Sequence, residues 1–100
     1  MRTADTRAAL DDCPARHVPQ APAGARRLEW MAVYGTLRVY AHTCDRHGRV
    51  SYEFGLLGGG YVIRRTDRSR PHTPVIRQTP TVRRTLALQW WDALLRGHAV

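Results

Sequence analysis

Gly58 and Gly59 sit between two runs of alternating apolar residues, and no other feature restricts the fold of this chain so tightly. A two-residue glycine turn joins antiparallel strands because its backbone twist matches theirs. Placed here, it sets Leu56 opposite Tyr61 and Phe54 opposite Ile63, apolar against apolar. On the other face it sets Glu53 opposite Arg64, a favourable charge pair. Directly opposed residues share a face, so a correct hairpin must show this agreement and a one-residue slip would destroy it.

The strand before this hairpin extends the pattern. Residues 30–44 are rich in aromatic and β-branched side chains, which suit a pleated, half-buried surface. Period two puts Met31, Val33, Leu37, Val39 and Ala41 on one face and Trp30, Tyr34, Arg38, Tyr40 and His42 on the other. Gly35 marks a bulge or bend that would split the run into two strands. Asp45-Arg46-His47-Gly48 is a turn signal. A four-residue loop pairs Cys44 with Arg49, Thr43 with Val50, Ala41 with Tyr52, Val39 with Phe54 and Leu37 with Leu56. The expected sheet is a three-stranded antiparallel meander, with Val75-Ile76-Arg77 as a candidate fourth strand.

One helix follows. Thr79-Pro80 has the chemistry of an N-cap and first helical residue, and Gly97 that of a terminator, so the helix is predicted over 80–96. Its polar stripe is narrow: Thr85, Gln89, Asp92 and Arg96. Val82, Leu86, Trp90 and Leu94 form one apolar ridge, and Leu88, Trp91 and Leu95 a second. One sheet covers an apolar arc of little more than ~100°. The second ridge therefore needs cover from the N-terminal tail, a second copy or another protein. The fold class is α+β: an antiparallel meander packed by one C-terminal helix, in a single small domain over 28–100. Residues 1–27, rich in Ala, Arg, Asp and Pro, are expected to be a mobile arm.

Charge bounds the function. All sixteen basic side chains are arginine, against eight acids, for a net charge of +8 on 100 residues. Exclusive use of arginine points to a GC-rich genome, but codon bias does not explain the excess over acids. Between Tyr61 and Arg84 stand seven arginines and one acid, Asp67. Arg38 and Tyr40 add a basic and an aromatic group on the polar sheet face. Basic groups interleaved with aromatics suit phosphate neutralisation with base stacking. Arg38, Tyr40, Arg64, Arg65, Arg68, Arg70, Arg83 and Arg84 are thus the expected nucleic-acid contacts. Leu88, Trp91 and Leu95 are the expected protein interface.

Other chemistry is sparse. No nucleophile triad, zinc-protease helix or phosphate loop is present, so no enzyme is expected. No cofactor is expected, and metal only on a weak signal. Cys44-x2-His47 has half a zinc knuckle's spacing, and Cys13-x3-His17 could supply the other half, with His42 or His72 as substitutes. One such pair alone is not specific, and the plain alternative is a partly buried cysteine beside a turn histidine. Neither a secretory leader nor a membrane span is evident, so reduced thiols and a cytoplasmic location are expected. The leading expectation is a small, dimeric, non-enzymatic nucleic-acid-binding regulatory or accessory protein, with DNA favoured over RNA. The alternative is an adaptor or inhibitor docking on an acidic protein through its arginines or Trp91.

Overall fold

A computed structural model describes residues 16–70 and 72–100. Five antiparallel strands form one open sheet: β1 (Met31–Ala32), β2 (Arg38–His42), β3 (Val50–Leu57), β4 (Gly60–Asp67) and β5 (Val75–Gln78). Their order is β1-β5-β4-β3-β2. Among the described residues one helix, α1 (Arg84–Leu95), packs against β4. The α+β class holds, the meander is β2-β3-β4, and the candidate fourth strand is β5. No described helix is long and apolar enough to cross a membrane.

The β3–β4 hairpin has the predicted register: Leu56 faces Tyr61, Phe54 faces Ile63 and Glu53 faces Arg64. Gly58 takes φ +60° at the first turn position, as a type II′ connection requires. Arg64 nevertheless directs its guanidinium away from Glu53. It donates to Gln78 Oε1 at 2.9 Å and to the Tyr34 carbonyl at 3.2 Å.

The β2–β3 register departs from expectation. Arg38 faces Leu56 and Val39 faces Gly55, but Ala41 faces Phe54 and His42 faces Glu53. Tyr40 is the extra residue of a bulge at this step. The lower half is therefore displaced by two residues and the upper half by one, and the connecting loop is longer than four residues. Gly55 explains the bulge. A β-carbon there would collide with the Arg38 carbonyl, so only glycine lets β2 approach so closely.

Residues 30–44 do divide at Gly35, with a consequence the pattern did not announce. β1 and β2 occupy opposite edges of the sheet although only residues 33–37 join them. That link crosses one sheet face: Gly35 packs on Leu57, and the Tyr34 and Gly35 carbonyls accept from Arg64. Beneath it Val62 and Gln78 are fully buried. The sheet is curled around this inner core, while its other face carries Tyr52, Phe54 and Ile63 into a cluster with Leu28, Ala87, Leu94 and Ala99.

The helix starts later than predicted, at Arg84 instead of residue 80. The exposed backbone of β4 claims the intervening residues. Thr79 N–H donates to the Ile63 carbonyl, and Ile63 N–H donates to Thr79 Oγ1 at 3.0 Å. Two further bonds join Tyr61 and Val82 in an antiparallel bridge. Residues 75–82 thus line the length of β4 and satisfy its donors and acceptors, which outweighs one capping bond. The other end meets expectation. Gly97 takes φ +75°, its N–H reaches the Leu94 carbonyl, and His98 N–H reaches that of Ala93, a complete Schellman cap.

Residues 16–27, the described part of the expected arm, lie along the domain. Arg16 bridges Thr43 in parallel, and Arg26 bridges Ala99. Leu28 N–H then donates to the Val100 carbonyl at 2.8 Å. Val18, Leu28 and Trp30 join the same core cluster as Leu88 and Trp91. Of the second helical ridge, Trp91 lies on Phe54 of the sheet, 5.8 Å between ring centres.

A buried Thr79 and a capping Thr79 respond oppositely to aspartate. An N-cap tolerates Asp as well as Thr. Here Thr79 is fully buried, so Thr79→Asp should cost about 2 kcal/mol or more in urea unfolding.

Candidate functional site

The arginines predicted as contacts separate into two groups. Three are used within the fold. Arg64 clamps the 33–37 link to Gln78, as described above. Arg65 pairs with Asp67 at 3.6 Å, and Arg68 donates to Ser51 Oγ at 2.7 Å. Asp67 in turn accepts from the Ser69 hydroxyl and backbone N–H. These two bonds, helped by Arg65 and Arg49, hold its carboxyl below the usual range despite slight burial. The second group, Arg38, Arg70, Arg83 and Arg84, is exposed. Among ion pairs between described residues, only Arg65 and Arg96 are engaged, Arg96 with Asp92 on α1.

Arg38 and Tyr40 share a face, and the one-residue register shift sets that face on the Leu56 and Tyr61 side of the sheet instead of the Glu53 and Arg64 side. A regular strand places residues two apart on one face, and here the Arg38 guanidinium lies 5.7 Å from the Tyr40 ring centre. Tyr40 remains 51% exposed, so its ring is open to a partner. Behind it runs a chain of rings into the core: Tyr40 to Tyr61 at 6.2 Å, Tyr61 to Phe54 at 5.6 Å, and Phe54 to Trp91 at 5.8 Å. Tyr61, read from sequence only as an apolar partner of Leu56, is the link that seats Tyr40.

Across the sheet, Arg38, Leu56, Tyr61 and Val82 are successive partners. Three such steps span about 15 Å, the length of ~4 stacked nucleotides at ~3.4 Å each. Arg83 and Arg84 follow Val82 directly at the start of α1. Arg83 occupies the N-cap without a side-chain cap bond, and no acid stands in the first turn. The amide groups there and the two guanidinium groups suit an anion. Tyr34 lies elsewhere, with its hydroxyl bonded to Thr81 Oγ1 at 2.7 Å.

Leu88, Trp91 and Leu95 are half-buried, and Trp91 packs on Phe54. The exposed large apolar side chains are instead Met31, Val33, Tyr34, Val39, Tyr40, Val75 and Ile76. Most of these lie on the edge strands or the link between them.

A second constellation forms where the arm meets the β2–β3 loop. The Arg16–Thr43 bridge, closed by Cys44 N–H donating to the Arg16 carbonyl, sets His17 beside Cys44. The loop brings His47 back to both. His17, Cys44 and His47 hold their ligand atoms within 4.8 Å of one another. They line one wall of a cleft of about 720 Å³ that also presents Arg49, Tyr52 and Arg65. Cys13 lies outside the described residues. His42 is committed to the Thr43 carbonyl at 3.0 Å, and His72 is exposed in the loop before β5.

No known protein family, curated protein or solved structure matches this chain.

Trp91 should behave as a core residue. Trp91→Ala should destabilise the chain by about 3 kcal/mol in denaturant unfolding, where loss of a surface anchor would leave stability unchanged.

Proposed function

We propose that this chain is a small, non-enzymatic nucleic-acid-binding protein that holds a strand along the Arg38–Arg84 row. Arg38, Arg83 and Arg84 neutralise successive phosphates, and the open face of Tyr40 stacks a base. The observation that carries this reading is the exposed Tyr40 ring with Arg38 against it, aligned across the sheet with guanidinium groups at a helix start that have no ion-pair partner among the described residues. A stacking platform beside a basic track suits single strands, because every base has a π-face and every nucleotide a phosphate. The net charge of +8 favours the same partner. DNA is the favoured strand, in the role of a regulatory or accessory factor.

The test is fluorescence anisotropy with single- and double-stranded DNA and RNA across a salt series, on protein stripped of carried nucleic acid. Single-stranded DNA should bind at physiological salt. Arg38→Ala and Arg83→Ala should each flatten the salt slope by about one unit. Tyr40→Ala should weaken single-strand binding by about 1–3 kcal/mol with little change in slope. Binding that disappears at moderate salt without preference among probes would exclude the reading.

A second reading concerns a dimer, favoured by the edge of β5. β1 covers only Arg77 and Gln78 there. Val75 and Ile76 stand 47% and 45% exposed on a strand edge with no outer partner among the described residues. Such an edge invites pairing with another strand, here that of a second copy. Ile76→Lys should convert a dimer to monomer in sedimentation equilibrium while leaving the circular dichroism unchanged. A monomer in both forms would refute the dimer and leave strand binding to be judged separately.

A further inference from the structure

We infer that His17, Cys44 and His47 form a three-coordinate site for a copper(I) ion. The site lies away from the strand-binding row and does not depend on it.

Geometry supplies the first argument. His17 Nε2 lies 3.3 Å from His47 Nδ1, and Cys44 Sγ lies 3.1 Å from the same nitrogen. All three donor atoms fall within 4.8 Å of one another. Imidazole nitrogen and thiolate sulfur bind a late first-row metal at about 2.0 Å and about 2.3 Å. In a trigonal plane such bonds set the donors about 3.5–3.7 Å apart. The three atoms thus define a position about 2 Å from each, which is a bond length. The two rings are tilted at 46°, with centroids 5.3 Å apart, so their nitrogens converge without stacking.

Hydrogen bonding alone explains this trio poorly. One ring nitrogen carries either a proton or a lone pair. His47 Nδ1 cannot make a good bond to both Cys44 and His17. A cation, by contrast, is served by lone pairs that all turn toward one point. A supporting contact is also present: Arg46 N–H points at Cys44 Sγ at 3.4 Å, as a donor that steadies a thiolate would.

Donor chemistry and charge select the ion. One thiolate with two imidazoles is a trigonal copper set, and soft sulfur favours the monovalent state. On binding, Cys44 releases its thiol proton to solvent, and the thiolate cancels the single charge of copper(I). No electron is transferred. The β2–β3 loop and the cleft wall carry Arg46, Arg49 and Arg65 against one acid, Asp45. A neutral centre fits these surroundings. A divalent ion on the same three residues would leave a net positive charge among those arginines, which repel it. Access is provided too. His17 and His47 are exposed on the cleft wall, while Cys44 is buried. The ion therefore enters from the histidine side, and its bond to sulfur is shielded from solvent.

The experiment uses full-length reduced protein under anaerobic conditions, with copper(I) offered in competition with bathocuproine disulfonate. One copper per chain should be taken up. X-ray absorption should show a three-coordinate copper(I) edge, with one sulfur and two nitrogens around the metal. Cys44→Ser should remove the sulfur and weaken binding by about 100-fold or more. Because Cys44 is buried, its variant is judged beside His17→Ala and His47→Ala, which change exposed positions. Each of these should weaken binding by about 10-fold or more while circular dichroism stays unchanged. Cys13→Ser should bind copper as the parent does. No copper uptake by the parent, or parental affinity in both histidine variants, would overturn the site. Two sulfurs at the metal, or loss of copper from Cys13→Ser, would overturn the three-residue set. Bound zinc that one equivalent of copper(I) fails to displace would overturn the choice of ion.

Discussion

Strand β4 is the constraint on which the rest depends. One edge is taken by β3 along its whole length, from Asp67 at one end to Gly60 at the other. The other edge is taken by the chain from Val75 to Val82, first as β5, then through Thr79 and the Tyr61–Val82 bridge. A central strand with both edges paired leaves few buried backbone groups unsatisfied. Because the second edge is filled so far along, α1 cannot begin before Arg84, and its start lies at the rim of the sheet. Ala87 and Leu94 then fall on the sheet, and Arg83 and Arg84 fall at its border, in solvent.

The same economy sets the other end of the molecule. The link 33–37 joins opposite sheet edges by crossing a face, and the interior it closes is partly polar. Arg64 Nε and Gln78 Nε2 are buried there without a partner among the described residues. Arg64 therefore serves the fold, with its guanidinium holding Gln78 and two carbonyls of the link. A basic residue count overstates the charge available to a partner when some of those residues are structural. The row from Arg38 to Arg84 is what remains outside.

How far this was legible from the residues depends on the range of the interaction involved. The β3–β4 register was readable because the turn and the alternation on both strands agree within a few residues. Gly97 was readable because a left-handed helix terminator is a local event. The β2–β3 register was not, because the bulge at Tyr40 arises from the absence of a side chain at Gly55 on the facing strand. The false helix start at Thr79 has a similar origin. Thr-Pro is a sound local cap, but long-range backbone pairing with β4 took the threonine. Arg38 and Tyr40 were picked out by type and placed on one face by period two, while their seating beside Tyr61 came from the register shift of β2. His17, Cys44 and His47 were visible as spacings, and only the Arg16–Thr43 bridge brought the arm's histidine to the loop.

By itself the sequence determined the fold class, the central hairpin, the helix terminator and the inventory of arginines, aromatics and metal-ligand types. These follow from local chemistry: turn residues, two-residue periodicity and charge. The tertiary structure decided which arginines face solvent, where the helix begins, that β1 and β2 stand at opposite edges, and that the arm lies against the loop. Each of these depends on groups distant in sequence competing for the same backbone partners and the same buried space, a competition that no local pattern records.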